Sequence, residues 1–316
     1  MIVMVPPKLI SRRLHTNSKK LVATRKTTAK GAAKPRRNTN YITTTKGVAK
    51  YTTVEHLDKL LADVGSAFGR EPTVLSLNIN PIMIVGDIHD NIVALEYVLK
   101  KKKETGCKAI LFLGDYVDRG IFGSETLVRL FKLKLKDPHG ILMLRGNHEE
   151  AGMNEHYGFY DEINGNDDLL LALDRVYNKM PIAAVLSNYA FCVHGGIDRP
   201  ESIRNITKNN AYLYMWNDPV NSRSGNLTPS DRGEGIHEFG ANTVDSFLNM
   251  NNLQLIIRGH TALQNGYQWW FDGKLLSLFS CPYYCGESNN GAYAIFNRGS
   301  ISVHTFKNYT SGSKRL

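Results

Sequence analysis

The chain has 316 residues, of which 42% are hydrophobic and 22% are charged, and its net charge is +10. It contains no run of about 18 or more apolar residues, which excludes a membrane-spanning helix, and its four scattered cysteines cannot staple a domain of this size. We therefore expect a globular protein in a reducing intracellular compartment.

The positive charge is concentrated at the amino-terminal end. Thirteen of the 39 Lys and Arg residues lie within residues 1–50, which contain no acidic residue. The other 26 face 29 acidic residues, so the rest of the chain has a net charge of −3. A slightly acidic body is not typical of a nucleic-acid-binding domain.

Residues 1–50 are predicted to be a basic, disordered arm, because they offer too little apolar surface to offset the entropy of ordering. Three roles remain open for this arm: a mitochondrial transit segment, a nuclear or RNA-contacting tail, and a solvated leader without a specific role. The apolar residues near its start run into Pro6 and Pro7 and do not recur at helical spacing, which counts against a transit segment. Residues 51–316 are predicted to form one folded domain.

The first half of this domain predicts alternating helices and strands. Apolar runs that end in Gly-Asp or Gly-Asn predict buried strands, and the stretches between them predict helices. In chain order these are a helix over 54–68, a strand over 81–87, a helix over 92–103, a strand over 109–115, a helix over 124–136 and a strand over 141–147. Strands that alternate with helices in this way pair in parallel.

The second half predicts mostly strands, with few helices between them. Its strand-like runs cover residues 183–186, 190–194, 253–260, 267–271, 275–279, 292–296 and 301–306. The two halves together predict an α/β fold with a core of two stacked sheets flanked by helices.

Polar clusters directly follow the first three predicted strands and two later ones. The five clusters are Gly86-Asp-Ile-His-Asp-Asn91, Gly114-Asp-Tyr-Val-Asp-Arg-Gly120, Arg145-Gly-Asn-His-Glu149, Val193-His-Gly-Gly196 and Arg258-Gly-His260. Because the carboxyl ends of adjacent parallel strands meet at one crevice, we expect the first three clusters to lie beside each other.

Six residues of these clusters are candidate metal ligands: Asp87, His89, Asp115, Asn147, His194 and His260. Any one of them alone is more often a capping or hydrogen-bonded polar group. All six offer oxygen or imidazole donors and none is a thiolate, which favours Mn²⁺, Fe²⁺ or Zn²⁺. Six ligands exceed what one tetrahedral site needs, so we predict two metal ions that share a bridging carboxylate, about 3.5–4 Å apart.

The clusters resemble the signature set of the phosphoprotein phosphatase family of metal-dependent Ser/Thr protein phosphatases. This is the type-1, type-2A and calcineurin group within the calcineurin-like metallophosphoesterase superfamily. The resemblance covers roughly residues 57–306 and extends to Tyr157-Gly-Phe-Tyr-Asp161, Pro181-Ile-Ala-Ala184 and Leu278-Phe-Ser280. It implies a central β-sandwich of two mixed sheets flanked by helices, with residues 51–316 as the metallophosphatase catalytic domain.

The resemblance also implies a role for each motif residue. His148 would be the general acid, oriented by Asp118, whose carboxylate would raise the imidazole pKa. The first metal would be held by Asp87 and His89, the bridge would be Asp115, and the second metal would be held by Asn147, His194 and His260. The substrate phosphate would be bound by Arg119, Arg232, Tyr284 and Asn147.

The expected reaction follows from the metals. A water that bridges two divalent cations ionises near neutral pH and attacks phosphorus in line, while the metals and arginines take up charge. We therefore expect hydrolysis of phosphoserine and phosphothreonine monoesters in proteins by a metal-bound hydroxide, without a phosphoenzyme.

Two alternatives remain open. One is a related metallophosphoesterase that acts on nucleotides or small phosphorylated metabolites. The other is a scaffold that uses the basic arm to bind RNA or another anionic surface. The implied partners are phosphoprotein substrates, a regulatory subunit, and an anionic partner or targeting receptor for the arm. A cytoplasmic or nuclear location is expected, with mitochondrial targeting as the alternative.

The chain departs from the family pattern around the site. Asp90 and Asn91 stand where the family has Gly-Gln, and Cys281 and Tyr283 stand where it has Ala and Asn. The loop after Arg232 is one residue longer than usual. We expect the substrate preference to differ from that of familiar members.

Overall fold

The structure is a computed structural model, and it describes residues 54–222 and 227–307. The predicted arm over residues 1–50 lies outside the described residues, so the division of the chain near residue 50 stays a prediction. No helix within the described ranges is long and apolar enough to cross a bilayer.

Two β-sheets form the centre of the fold. The first consists of β2 (Ile82–Val85), β3 (Ala109–Phe112), β4 (Ile141–Met143), β13 (Gly291–Asn297) and β14 (Ser300–Phe306), in the order β14-β13-β2-β3-β4. The second consists of β1 (Val74–Leu77), β5 (Ala183–Leu186), β6 (Ala190–Val193), β10 (Leu255–Arg258), β11 (Tyr267–Trp270) and β12 (Leu275–Leu278), in the order β1-β5-β6-β10-β12-β11. Both sheets mix parallel and antiparallel pairs.

A third, small sheet is separate from these two in its strand pairing and packs beside the second sheet. It consists of β7 (Asp218–Pro219), β8 (Thr228–Pro229) and β9 (His237–Phe239), in the order β7-β9-β8. The sequence did not predict it.

The helices are α1 (Val54–Gly69), α2 (Ile92–Glu104), α3 (Gly123–Lys136), α4 (Ala151–Tyr157), α5 (Phe159–Glu162), α6 (Asp167–Tyr177), α7 (Ala211–Trp216) and α8 (Ala241–Asn251). The first three match the predicted helices to within one residue or so at each end. Helices α4 to α6 fill a region to which the sequence had assigned no element.

The packing produces four layers. Ile84 and Leu111 of the first sheet meet Cys192 and Ile257 of the second in one apolar cluster between the sheets. Helices α1, α2, α3 and α6 cover the outer face of the first sheet, and α7 and α8 pack against the outer face of the second. The predicted α/β sandwich of two mixed sheets flanked by helices is confirmed.

The strands that precede the first three polar clusters are neighbours in the first sheet. β2 pairs in parallel with β3, and β3 pairs in parallel with β4. All positions of these strands are buried, which explains why each reads as a continuous apolar run. Their carboxyl ends lie side by side, as predicted, and they place the three clusters at one edge of the sandwich.

Candidate active site

The backbone turns sharply after β2, β3 and β10, where polar candidate residues follow the strands. His89, Asp115, Asp118, Arg119 and His260 all have positive φ, between 41° and 76°. This left-handed conformation is costly for residues with a Cβ and is found mainly where function or packing requires it. The strain at this edge therefore marks a site whose geometry is held by the surrounding structure.

The six candidate ligands come together there, and each is at most 7% exposed. Asp115 lies at the centre: one carboxylate oxygen is 3.5 Å from His89 Nε2 and the other is 3.2 Å from His194 Nε2. Asp87 Oδ2 is 3.8 Å from His89 Nε2. His194 Nε2 is also 2.9 Å from Asn147 Oδ1 and 3.2 Å from His260 Nδ1.

Backbone carbonyl groups fix the orientation of three histidine rings, because one ring nitrogen of each lies beside a carbonyl oxygen and the other faces the cluster. His89 Nδ1 lies 3.0 Å from the Val117 carbonyl, and His194 Nδ1 lies 3.2 Å from the Leu113 carbonyl. His260 uses Nε2 in the same way, 3.2 Å from the carbonyl of Trp216. A carbonyl oxygen only accepts, so these nitrogens donate and the other nitrogen of each ring faces the cluster, the usual orientation of metal-binding histidines.

The residues present fit divalent cations. The buried Asp87 Oδ2 has no hydrogen-bond partner among the described residues, although such groups are normally paired. His89, Asp115 and His148 form one group of potential ligand atoms within 4.8 Å of one another, and Asp115, His194 and His260 form another. The 3.2 Å between His194 Nε2 and His260 Nδ1 matches two neighbouring ligands of one cation, which stand about 3.0–3.4 Å apart when each bond is about 2.1 Å.

The charges of the cluster separate the histidines into different roles. Burial and the neighbouring His148 lower the pKa of His89 to about 3, and burial and Arg232 hold the pKa of His260 well below its usual value, so both are neutral. Burial also opposes the charged form of His194, but Asp115 outweighs it and raises that pKa. A divalent cation bound beside Asp115 would take the place of the proton on His194 and balance the negative charge of the Asp115 carboxylate.

His148 forms a buried pair with Asp118. Its Nδ1 donates a hydrogen bond of 2.7 Å to Asp118 Oδ2, while its Nε2 faces the cluster, 4.0 Å from Asp115 Oδ2. Burial opposes protonation of His148, but Asp115 and the Asp118 hydrogen bond outweigh it and raise the pKa. The imidazolium form of His148 is therefore favoured, whereas the pKa values of the candidate ligands His89 and His260 are lowered.

Asn154 was missed by sequence reasoning. Its Nδ2 donates to Asp118 Oδ2 at 2.9 Å and to the His148 carbonyl at 2.8 Å, and so it joins the two partners. Asp118 Oδ1 also accepts from the Phe159 backbone at 3.1 Å. The signal was weak, because Asn154 lies on α4 outside every strand-end cluster.

Glu149 holds the ends of β3 and β4 together and was assigned no role from the sequence. Its carboxylate accepts backbone hydrogen bonds from Asp115, Tyr116 and Gly146, at 2.8–2.9 Å. Burial and the nearby Asp115 raise its pKa to about 7. The residue anchors the backbone that carries the central Asp115.

The predicted phosphate-binding residues surround the ligand cluster. The guanidinium of Arg119 stacks 3.7 Å above the Tyr157 ring, and the Tyr284 ring lies 5.0 Å from that of His89. Arg232 forms an ion pair with Asp218, and its charge acts on His260, so the longer loop does not carry it away from the site.

Asp218 is a further residue that the sequence did not reveal. It accepts from Arg232 through Oδ2, and from Arg258 Nη2 at 2.7 Å and Thr261 Oγ1 at 3.0 Å through Oδ1. Arg258 is fully buried, and the Asp218 carboxylate positions its guanidinium group and that of Arg232 beside His260.

The structure accommodates the departures from the family pattern. Asp90 has a φ of 60° and accepts a hydrogen bond from the Gly120 backbone at 3.2 Å. Asn91 caps α2 by accepting from the Ala94 backbone, and its Nδ2 donates to the Pro282 carbonyl at 3.2 Å. Both substitutions have structural roles beside the ligand cluster.

A four-layer α/β sandwich with buried Asp, Asn and His side chains converging at its strand ends defines a metal-dependent phosphoesterase. The sequence pattern of the calcineurin-like phosphoesterases matches residues 80–264. Serine/threonine-protein phosphatase 4 catalytic subunit from Kluyveromyces lactis is 35% identical over 226 residues, which cover 67% of this chain and 72% of that protein. The phosphatase 6 catalytic subunit from Drosophila melanogaster is 34% identical over 258 residues, covering 77% and 84%.

Solved structures agree with these similarities. A Saccharomyces cerevisiae serine/threonine phosphatase described as similar to human phosphatase PP5 superposes with a TM-score of 0.75 at 26% identity, over 84% of this chain and 93% of that one. A cold-active protein-tyrosine phosphatase from a Shewanella species, at 19% identity and a TM-score of 0.56 over 76% and 84%, shows the fold alone. The chain belongs to the calcineurin-like phosphoesterases, in the phosphoprotein phosphatase family of Ser/Thr phosphatases.

Proposed function

We propose that the chain hydrolyses phosphoserine and phosphothreonine monoesters in proteins, at the strand-end cluster, with two divalent cations and without a phosphoenzyme. One observation carries this proposal: the ring nitrogens of His89 and His194 converge on the central Asp115, and His148, whose pKa is raised, faces the same carboxylate. A hydrolase for phosphate esters needs these two elements, a place for cations and a proton for the leaving oxygen.

The ligand set divides around Asp115. Asp87 and His89 on one side and Asn147, His194 and His260 on the other would each hold one cation, with Asp115 shared. Two cations bound there would supply Lewis-acid activation of water and positive charge for the phosphate oxygens. We propose Mn²⁺ as the resident ion, and Fe²⁺ and Zn²⁺ also suit nitrogen and oxygen donors.

His148 would deliver the proton. Its Nδ1 is tied to Asp118, so the Nε2 proton is the one directed toward the leaving oxygen of the substrate. The buried carboxylate favours the charged ring and fixes its orientation, while Asn154 holds that carboxylate in place. Proton delivery at this atom is what turns a serine alkoxide into a neutral leaving group.

Two arginines would bind the phosphate. Arg119 has its guanidinium plane set by the Tyr157 ring, and Arg232 has its orientation set by Asp218. Planar guanidinium groups bind two phosphate oxygens at once, so preset orientations favour one pose of the ester. Tyr284, which lines the space beside His89, would limit the room for the rest of the substrate.

The approach to the cluster supports a protein substrate. A groove of about 260 Å³ leads to it past Arg119 and Tyr284, and exposed Ile121 and Tyr283 line the same groove. Exposed apolar side chains beside a phosphate site suit the residues that flank a phosphoserine in a peptide. The relatives named as Ser/Thr protein phosphatases also favour this substrate class.

Substrate choice is the direct test. We expect the metal-loaded full chain to hydrolyse phosphoserine and phosphothreonine peptides, with His148→Ala as the matched low-activity control. The same preparation would be assayed on dinucleoside polyphosphates and nucleotide phosphodiesters. Turnover of these nucleotides alone would replace the protein-phosphatase proposal by the nucleotide phosphoesterase alternative.

The basic arm is a separate proposal. We propose that residues 1–50 contact an anionic partner or a targeting receptor, that a regulatory subunit joins the catalytic domain, and that the protein acts in the cytoplasm or nucleus. Fluorescence imaging of the full chain and of a chain lacking residues 1–50 would test the location, and mitochondrial signal that depends on the arm would overturn it. If loss of the arm abolished cellular function while Asp115→Asn did not, the scaffold alternative would replace the enzyme.

A further inference from the structure

A groove runs between α2 and α3, from the middle of each helix toward its carboxyl end. It encloses about 380 Å³ on the helix layer that covers the first sheet. Leu99, Leu133 and Ile141 form its apolar floor, since two of them are buried and Leu133 is half-buried. At one end Arg129 donates a hydrogen bond of 2.7 Å to Glu96.

The rim of the groove is basic. Its lining contains five cationic side chains and two acidic ones: Lys100, Lys102, Lys103, Arg129 and Lys136 against Glu96 and Asp137. Arg129 is neutralised by Glu96, Lys102 approaches Asp137 at 3.9 Å, and Lys100 approaches Glu104 at 3.6 Å. Lys103 and Lys136 are exposed and form no ion pair with any residue in the described part of the chain.

Helix stability accounts for only part of this pattern. Lysines in the last turn of a helix complement the partial negative charge at that end. Lys101 and the buried Lys134 already occupy the last turns of α2 and α3, and each pairs with a glutamate. The stability of the two helix ends therefore does not explain why further lysines from both helices line the same apolar groove.

We propose that this groove, defined by its apolar floor and by Lys100, Lys103 and Lys136 on its rim, binds an acidic segment of a partner protein that carries one bulky apolar side chain. The floor would take the apolar side chain and the rim lysines would pair with the flanking carboxylates. A patch that combines charge and apolar area selects a peptide of this kind. The proposal does not depend on the phosphatase activity.

Charge excludes the chain's own basic segments as the occupant. Residues 1–50 contain thirteen Lys and Arg and no acid, and residues 308–316 contain Lys314 and Arg315 and no acid. Nucleic acid fits less well than an acidic peptide, because Glu96 and Asp137 would face its phosphates and the apolar floor would have nothing to bind. A flat anionic membrane cannot reach the floor of a groove.

The groove is remote from the ligand cluster. Helix α2 begins beside the cluster, where Asn91 contacts the loop at Pro282, and Lys100 to Lys103 lie about 12–17 Å further along the helix axis. A partner bound in the groove would leave the strand-end cluster open. The two sites can therefore be tested independently.

Fluorescence anisotropy on the full chain tests the proposal. The probe is a labelled 12-residue peptide of Asp and Glu with one central Leu, and the groove variant is Lys103→Glu with Lys136→Glu. Arg70→Glu with Arg175→Glu is the matched control, since both residues are exposed, lie outside the groove lining and, like Lys103 and Lys136, form no ion pair within the described residues, and the charge change is equal. At about 0.15 M salt we expect the groove variant to bind the peptide at least about tenfold more weakly, and the control within about twofold of the unchanged chain.

Other results would overturn the proposal. Equal losses in both variants would show a general charge effect, and no loss in either would show that the peptide binds elsewhere, for example at the basic arm. A Ser in place of the peptide's Leu should weaken binding, so unchanged affinity would remove the apolar floor from the account. A larger loss for an RNA oligonucleotide or an anionic vesicle than for the peptide would assign the groove to that ligand.

A folding control accompanies these measurements. Both double variants should show the thermal unfolding midpoint of the unchanged chain and its rate on a small aryl phosphate, because the substituted side chains are exposed and far from the cluster. The neutral variant Lys103→Gln with Lys136→Gln should lose binding to an intermediate extent. Full affinity in this neutral variant would contradict a role for the two charges.

Discussion

Replacing Asp118 by asparagine keeps the shape of the side chain and removes its charge. The buried carboxylate accepts from His148 Nδ1 at 2.7 Å and from Asn154 Nδ2 at 2.9 Å through the same oxygen. A hydrogen bond to a charged group contributes about 1.5–3 kcal/mol. At about 1.4 kcal/mol per tenfold in rate, we expect kcat for a phosphoserine peptide to fall about 10- to 150-fold.

The choice of substrate separates proton delivery from other effects. A serine leaving group needs a proton, whereas the phenolate of a nitro-substituted aryl phosphate leaves without one. The loss in kcat should therefore be at least about tenfold larger on the peptide than on the aryl phosphate. Metal content should be unchanged, because Asp118 is hydrogen-bonded to His148 and Asn154 and is not one of the six candidate ligands.

The pH profile gives a second readout. In the proposed mechanism the acid form of His148 is the active one, so activity is lost as the pH rises through its pKa. Asp118 helps to raise this pKa, and its removal should move the alkaline limb of kcat to lower pH. When His148 is already replaced by alanine, adding Asp118→Asn should lower kcat by less than about a further threefold, since Asp118 acts through His148. Equal losses on both substrates, or fully multiplied losses in the double variant, would refute this reasoning.

Three further predictions concern the ligands, the arginine pair and the backbone. Asp115→Asn should lower both metal content and activity, whereas His148→Ala should keep its metal and lose about 10²–10⁴ in rate. Metal content would be measured by elemental analysis, and an equal loss of metal in the two variants would contradict the division of roles. Asp218→Asn should raise KM for a phosphopeptide about tenfold and lower the unfolding temperature, because two arginines lose their partner; an unchanged KM in steady-state kinetics would contradict this. Gly86→Ala should destabilise the protein by about 1–3 kcal/mol or more, because its Cβ would lie against the Leu278 carbonyl. The matched Gly152→Ala on α4 should be neutral or stabilising, because a Cβ there meets nothing within 4 Å. Similar denaturation midpoints for the two variants would contradict the packing argument.

Most strands of the two sheets were predicted, and the clearest of them are buried on both faces, whereas β1 is only partly buried and was missed. β2, β3 and β4 read as uninterrupted apolar runs, and the polar residue after each run marks the strand end. The small third sheet could not be predicted, since β7 and β8 have only two residues each and leave no periodic pattern. Helix α6 did carry a signal, Asn166 as its N-cap before two aspartates, which the sequence reasoning did not use.

The side chains nearest the cluster could be predicted because they follow the strands directly. The residues that hold them in place could not. Asp218 reaches Arg258 across 40 residues of sequence, and Asn154 reaches Asp118 across 36, so neither contact leaves a local pattern. Glu149 stood inside a recognised cluster, but its three backbone partners became visible only with the turns at Asp115 and Gly146.

The central claim is that five strand-end loops build one dinuclear phosphatase centre. Titration of the chelated, full-length chain with Mn²⁺, with bound metal and phosphoserine-peptide hydrolysis followed together, tests it most directly. Two ions per chain should bind, with activity absent after chelation and restored as the second ion binds. Full activity with one ion, or undiminished activity in the chelated protein, would contradict the account.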